Sequence, residues 1–95
     1  MPRRVILSPR AQAWLRREVA YLAGSSAPTA TRRLLQRIDD ARRLLIEHPR
    51  SGRPGPVADT RRLVVAPYVL TYRERNDDIE IIDIRHSRQR ETPLE

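Results

Sequence analysis

Apolar and polar positions change their period along the chain, and the changes mark its elements. "RRVIL", Arg3 to Leu7, is a short apolar run of β type. It stops at Ser8-Pro9, where the serine hydroxyl can accept from the first helical amides and proline suits the first helical position. A helix is expected from Pro9 to Ala23. Leu15, Val19 and Leu22 recur there at i, i+4 and i+7, Ala11 and Trp14 widen the stripe, and Arg10, Arg16 and Arg17 point elsewhere. Gly24 ends it. "SSAP", Ser25 to Pro28, repeats the start signal for a longer helix from about Ala27 to His48. Leu34, Ile38, Ala41 and Leu45 form its stripe, broadened by Leu35 and Leu44, while Arg32, Gln36, Asp39 and Arg43 form the opposite, solvated face. So short a connection folds the two helices into an antiparallel hairpin.

"HPRSGRPGP", His48 to Pro56, is dense in proline and glycine and is expected to be a connecting loop. Strand periodicity follows. "RRLVV" (Arg61 to Val65) is one strand, and "YVLTYRE" (Tyr68 to Glu74) alternates Tyr68, Leu70 and Tyr72 against Val69, Thr71 and Arg73. Pro67 falls between them, where it removes no ladder donor. "RNDD" (Arg75 to Asp78) makes a tight turn, since Asn and Asp tolerate positive φ. In the last strand, Ile79 to Arg85, the alternation slips at Ile81-Ile82, which implies either a bulge or a strand covered on both faces. The order β-α-α-β-β-β predicts one α+β domain over residues 1–95, ending in a basic tail from residue 86. It has two layers, a helical hairpin packed on a mainly antiparallel four-stranded sheet. The helices cover one face of that sheet. The other face is left for function.

Composition narrows the function. The 95 residues suffice for one core. There is no cysteine, so disulfides and thiolate metal sites are excluded, and two histidines on either side of the sheet region make no zinc site. No apolar run approaches the ~20 residues that span a bilayer, so a cytoplasmic protein with no membrane association is expected. Net charge is +7, and all 19 basic residues are arginine. Codon bias can account for arginine in place of lysine, but not for the positive excess. The excess points to an anionic partner, either nucleic acid or an acidic protein segment. Four aromatics (Trp14, Tyr21, Tyr68 and Tyr72) are too few for a sheet that stacks single-stranded bases.

The chemistry-bearing stretch is "IIDIRHSRQRE", Ile81 to Glu91, where a histidine follows an apolar strand among arginines. His86 is of the residue type that suits a general acid–base, and it could equally hold the strand-to-tail corner. Arg85, Arg88 and Arg90 could clamp phosphate or meet the acidic residues of a partner. Arg61 and Arg62 could be part of a phosphate site, or charges that protect a sheet edge. Trp14 suits the core, and His48 suits a helix terminus.

Three segments together carry a family resemblance: "LSPRAQAWLRREVAYL", the helix that closes on "HPRSGRP", and the block "RRLVVAPYVLTYRERNDDIEIIDIRHSRQR". The block is the specific part, with Arg62, Tyr68-x-Leu70-x-Tyr72 and Ile84-x-His86-x-Arg88 in order. The chain resembles the RelE/ParE superfamily of bacterial type II toxin–antitoxin toxins over almost its whole length. That resemblance implies one of two activities: RelE-like members cleave messenger RNA on the ribosome, and ParE-like members poison DNA gyrase by protein contact. Metal-free RNA cleavage needs a general base, cations around the phosphorane and an acid for the leaving oxygen. RelE-like nucleases commonly read Tyr-Arg-(apolar)-x-Tyr where this chain reads Tyr68-Val69-Leu70-Thr71-Tyr72, so Val69 stands in place of the phosphate-facing arginine. Leu63, Val64 and Val65 supply no second cation.

The resemblance therefore favours the ParE-like branch, with no catalytic residue, no cofactor, and a role of the plasmid-stabilisation kind. A ribonuclease would instead draw on His86, Arg62, Arg85 and Arg88. A third class, a non-toxic basic nucleic-acid-binding domain, is disfavoured by the few aromatics, and no sequence-specific nucleic-acid contact is expected. The implied partners are a cognate ParD-like antitoxin, whose acidic segment would lie across the hairpin and sheet in a hetero-oligomer, and gyrase as the target. The residues expected to meet partners are Arg32, Arg33, Arg43, Arg61, Arg62, Tyr72, Arg85, His86, Arg88 and Arg90.

Overall fold

The computed structural model describes residues 3–24 and 28–88. Its elements in chain order are β1 (Val5–Leu7), α1 (Pro9–Ala23), α2 (Pro28–Glu47), β2 (Arg53–Pro54), β3 (Arg61–Val65), β4 (Tyr68–Arg75) and β5 (Asp78–His86). The strands form one sheet in the order β1-β5-β4-β3-β2. β1 runs parallel to β5, and every other pair is antiparallel. The α+β class and the two-layer packing are as the periodicity predicts.

The strand count is five, not four. The segment expected to be pure loop contains β2, where Arg53 and Pro54 pair with Arg62 and Arg61. Two residues carry no periodic signal, and a proline in a strand is tolerated at a sheet edge, where its missing donor faces outward. The start signal at Ser25 to Ala27 lies outside the described residues.

Ser8 joins three elements. Its N–H donates to the Ile81 carbonyl (2.9 Å), its hydroxyl donates to the Ile82 carbonyl (2.6 Å), and the same oxygen accepts from the Ala11 N–H (3.1 Å) as the N-cap of α1. Ile82 is the extra residue of a β-bulge: Thr71 pairs with Asp83 and Tyr72 with Ile81, which leaves Ile82 without a partner across the ladder. The slip of alternation at Ile81-Ile82 is therefore a bulge. The parallel β1 reaches only as far as Ile81, so the carbonyl at the bulge is free to be taken by the serine.

The core lies between the helices and one sheet face. Ala11 and Trp14 of α1 and Leu34, Ile38, Ala41 and Leu45 of α2 bury against Leu63, Tyr68, Leu70, Tyr72, Ile79, Ile81 and Ile84. Trp14 faces the sheet, while Leu15, Val19 and Leu22 are only partly buried against this cluster. The apolar face of α1 is thus turned toward Trp14 relative to the stripe that the leucines suggested. Leu35 and Leu44 do not broaden the buried stripe of α2; both are exposed. Gly24 follows α1 in a right-handed conformation (φ −78°), so the helix ends there without a left-handed glycine cap.

Ser8→Ala removes the cap and strands the Ile82 carbonyl. The expected loss is about 1–3 kcal/mol, read as a shift of the urea midpoint at unchanged m-value. A shift below about 0.5 kcal/mol would show that solvent replaces the serine at no cost.

Candidate functional site

Strand alternation sorts the predicted residues onto two faces. On the helix-covered face, Tyr68 packs edge-on between Trp14 (5.8 Å between ring centroids, 79°) and His86 (5.8 Å, 85°). His86 therefore ends an aromatic row beneath α1. Its Nδ1 accepts from the Arg88 N–H at 3.3 Å, which closes the turn leaving β5, and the Ser87 N–H donates to the Pro67 carbonyl at 2.7 Å. Burial, with Glu18 adding to it and Arg33 opposing, holds the Tyr68 phenol above its ordinary pKa of 10.0.

The opposite face is open. Register places Arg62, Thr71 and Asp83 in one row and Val64, Val69 and Arg85 in the next. Val69 and Thr71 are 7% and 5% exposed between the flanking strands, whereas Val64 is 65% exposed. Arg62 and Arg85 stand on the two strands that flank β4, in adjacent rows, about 12 Å apart at ordinary strand spacing and rise. The centre between them is a methyl-bearing surface with one hydroxyl. The carboxylate in these rows, Asp83, is held by Arg10 at 3.1 Å, and His86 is on the other side of the sheet. The four residues that a ribonuclease would need are thus divided between two faces, with the turn residue Arg88 beyond them.

Other predicted residues turn out to hold the fold. Tyr72 is fully buried. Its hydroxyl accepts from the Gly52 N–H (2.9 Å) and donates to the Pro49 carbonyl (2.8 Å), so it pins the proline- and glycine-rich segment and offers a partner no surface. Gly52 allows this closeness, because a Cβ there would come within 2.8 Å of the Arg62 carbonyl and of the tyrosine ring. Arg61 is half-buried and donates from Nη1 to the Gly52 carbonyl (2.9 Å) and the Arg50 carbonyl (3.4 Å), so it belongs to the same clamp rather than to a sheet edge. The cleft of about 520 Å³ beside it, lined by Arg50, Thr60, Arg61, Arg73 and Glu74 among others, is rimmed by engaged cations. Arg50 pairs with Glu74 and Arg73 with Glu80.

Of the remaining residues, Arg32 and Arg33 are exposed on α2, and Arg43 is exposed but paired with Asp39 at 2.9 Å. Arg88 is exposed, and Arg90 lies outside the described residues. Among the described residues no group of histidine and carboxylate side chains could hold a metal ion, and no helix is long and apolar enough to cross a membrane. Sequence reasoning passed over Tyr21, which is 72% exposed at the far end of α1, and its neighbour Arg17. Both fall off the apolar stripe, and that was the available signal.

Residues 5–91 match the family model described as the ParE toxin of the type II toxin–antitoxin system parDE. The chain belongs to the ParE toxin family. A Sinorhizobium fredii protein named "Putative toxin Y4kP" is 40% identical over 74 residues, 76% of each chain. The solved structure of the chromosomal ParDE system from P. aeruginosa superposes with a TM-score of 0.73 at 20% identity, covering 90% of this chain and 96% of that one; at this identity the likeness speaks for the fold. In this ParE toxin, then, the strand-end histidine and the Tyr72 clamp are built into the same domain as the open face.

Tyr72→Phe leaves the Gly52 N–H and the Pro49 carbonyl without their partner. It should cost about 2–4 kcal/mol, with faster amide exchange at Gly52, since each buried orphan costs about 1–3 kcal/mol. Unchanged exchange at Gly52 would show that the segment is held by other contacts.

Proposed function

We propose that this ParE toxin acts by contact with DNA gyrase, without catalysis of its own, and that a cognate ParD-like antitoxin neutralises it. The observation that carries this reading is the make-up of the open face. Val69 and Thr71 occupy its centre where a nuclease needs a cation and a base, and the imidazole of His86 packs against Tyr68 on the opposite face. Family membership supports the toxin–antitoxin setting, and the ParDE system of the structural neighbour supports a ParD-like partner. A toxin with this target works in the cytoplasm, and the pair serves to stabilise a replicon that carries it. Arg32, Arg33 and Arg43 on α2, together with Arg62 and Arg85 on the open face, meet the antitoxin's acidic segment. Charge speeds that encounter, and apolar contacts such as Leu35 and Leu44 prolong it.

Purified toxin added to gyrase with supercoiled DNA should accumulate cleaved complexes, while messenger on translating ribosomes stays intact by primer extension. Codon-positioned messenger cuts that disappear in His86→Ala would overturn the proposal.

The antitoxin complex should survive about half-molar salt, where exposed charges more than ~4 Å apart are screened. Complete dissociation there, by size exclusion with light scattering, would mean that charge alone holds it.

A further inference from the structure

The positive charge of this protein is concentrated at one end, of whose arginines only Arg32 and Arg33 are assigned above, to the antitoxin. Residues 16–37, the distal half of the helical hairpin, contain five arginines and one glutamate, a net +4 of the chain's +7. Arg16, Arg17, Arg32 and Arg33 are all exposed, and no carboxylate of the described residues forms an ion pair with them. This half of the hairpin lies against the end of the sheet where β3 turns into β4 and β5 ends. Glu18 and Arg33 both act on the Tyr68 phenol, and Tyr68 packs on His86, whose ring nitrogen holds the backbone of the exposed Arg88. The C-terminal end of β5 therefore adds its arginine to the same pole.

The other end of the sheet is built differently. Around the β4–β5 turn the arginines are paired with carboxylates: Arg3 and Arg50 share Glu74 (3.1 and 3.4 Å), Arg4 holds Asp78 (2.9 Å), and Arg73 and Arg75 share Glu80 (2.9 and 3.9 Å). Hydrogen bonding to Arg4 holds the Asp78 carboxyl below its ordinary pKa. Exposed pairs of this kind contribute little to stability, so their main consequence is electrical. With Asp77 in the same turn, four carboxylates offset these five arginines, so this pole is nearly compensated and the other is not.

We infer that the uncompensated pole, Arg16, Arg17, Arg32, Arg33 and Arg88, binds the phosphate backbone of duplex DNA without reading its sequence. Three features point to a polyanion at this pole when the antitoxin is absent. A protein interface of ordinary size has an apolar core, and the exposed large apolar residues of this half of the hairpin are Tyr21 and Leu35. Protein–DNA interfaces are instead polar and strongly positive. Arginine's planar fork engages phosphate oxygens in pairs, and backbone contact requires no stacking aromatics. The inference does not depend on the gyrase reading, since the binding is a property of the toxin alone.

The test is fluorescence anisotropy of the isolated toxin with a labelled duplex of arbitrary sequence, about 24 base pairs long, titrated from about 50 to 200 mM salt. The expected dissociation constant is micromolar at the low end, with log K falling by about 0.9 per log salt for each phosphate neutralised. The triple variant Arg16→Gln, Arg32→Gln, Arg33→Gln should weaken binding at least about tenfold and lower that slope by about 2–3. The control Arg4→Gln, Arg50→Gln, Arg75→Gln removes the same charge from the compensated end and should weaken it less than about threefold. Both sets are exposed, and circular dichroism verifies the fold of each. No binding by the parent toxin, equal losses in the two triple variants, or binding to a polyglutamate peptide but not to the duplex would overturn the inference. Because gyrase cleavage is assayed separately, a toxin that poisons gyrase yet ignores free duplex fails here without disturbing the proposed function.

Discussion

The bond from the Ser8 hydroxyl to the Ile82 carbonyl is the constraint on which the layout depends. A β-bulge leaves a strand with an unpaired residue and a kink, and its stranded polar groups need partners. Here the partner is the N-cap of α1, so one buried side chain sets both where the helix starts and how it approaches the sheet. With β1 paired to β5 only as far as Ile81, the chain must leave the sheet at Ser8, and Pro9 then fixes the backbone for the first helical turn. α1 is thereby laid along β5, with Trp14 above Tyr68.

From that placement follows the separation of His86 from the arginines of the open face. Before the bulge, Ile79 and Ile81 point to the core; after it, Ile84 does, and His86 follows two residues on. Without the bulge, with Ile82 taking an ordinary place in the ladder, the alternation would continue unbroken from Ile81. Ile84 and His86 would then face outward and Arg85 inward, giving an exposed histidine between β4 and β5 and a buried arginine beneath Trp14. The bulge thus puts the imidazole in the aromatic row and Arg85 on the open face. Its chemistry is consequently that of a conformational fastening: an acceptor for the Arg88 N–H and an edge for the Tyr68 ring.

Much of this was legible in the residues, because it rests on local rules. Ser8-Pro9 marked the start of α1, the turn at Asn76 adopts the positive φ (58°) that asparagine tolerates, and Ile81-Ile82 broke the alternation where the bulge occurs. What was not legible depends on contacts distant in sequence. Tyr72 looked like one more residue of an alternating strand, and its role appears only when the segment 20 residues earlier closes over its hydroxyl. Arg61 was indistinguishable from Arg62 by type, yet the pleat sends one to the Gly52 carbonyl and the other to the open face. β2 was invisible because two residues carry no period. The site suffered most for the same reason: every basic residue is an arginine, and the sequence cannot say which of them a carboxylate has already taken.

That last distinction orders the surface by physics rather than by count. An arginine held by a carboxylate keeps its shape as a donor but loses most of its field beyond a Debye length, whereas an unpaired one keeps both. The hairpin tip is therefore where an approaching anion is first felt, and the open face, with Val69 and Thr71 between Arg62 and Arg85, is where shape would decide whether it stays. An acidic antitoxin segment that covers α2 must neutralise Arg32 and Arg33 on its way to the sheet. Any polyanion held by those two arginines competes with it directly, so occupation of the tip and neutralisation of the toxin are coupled through the same charges.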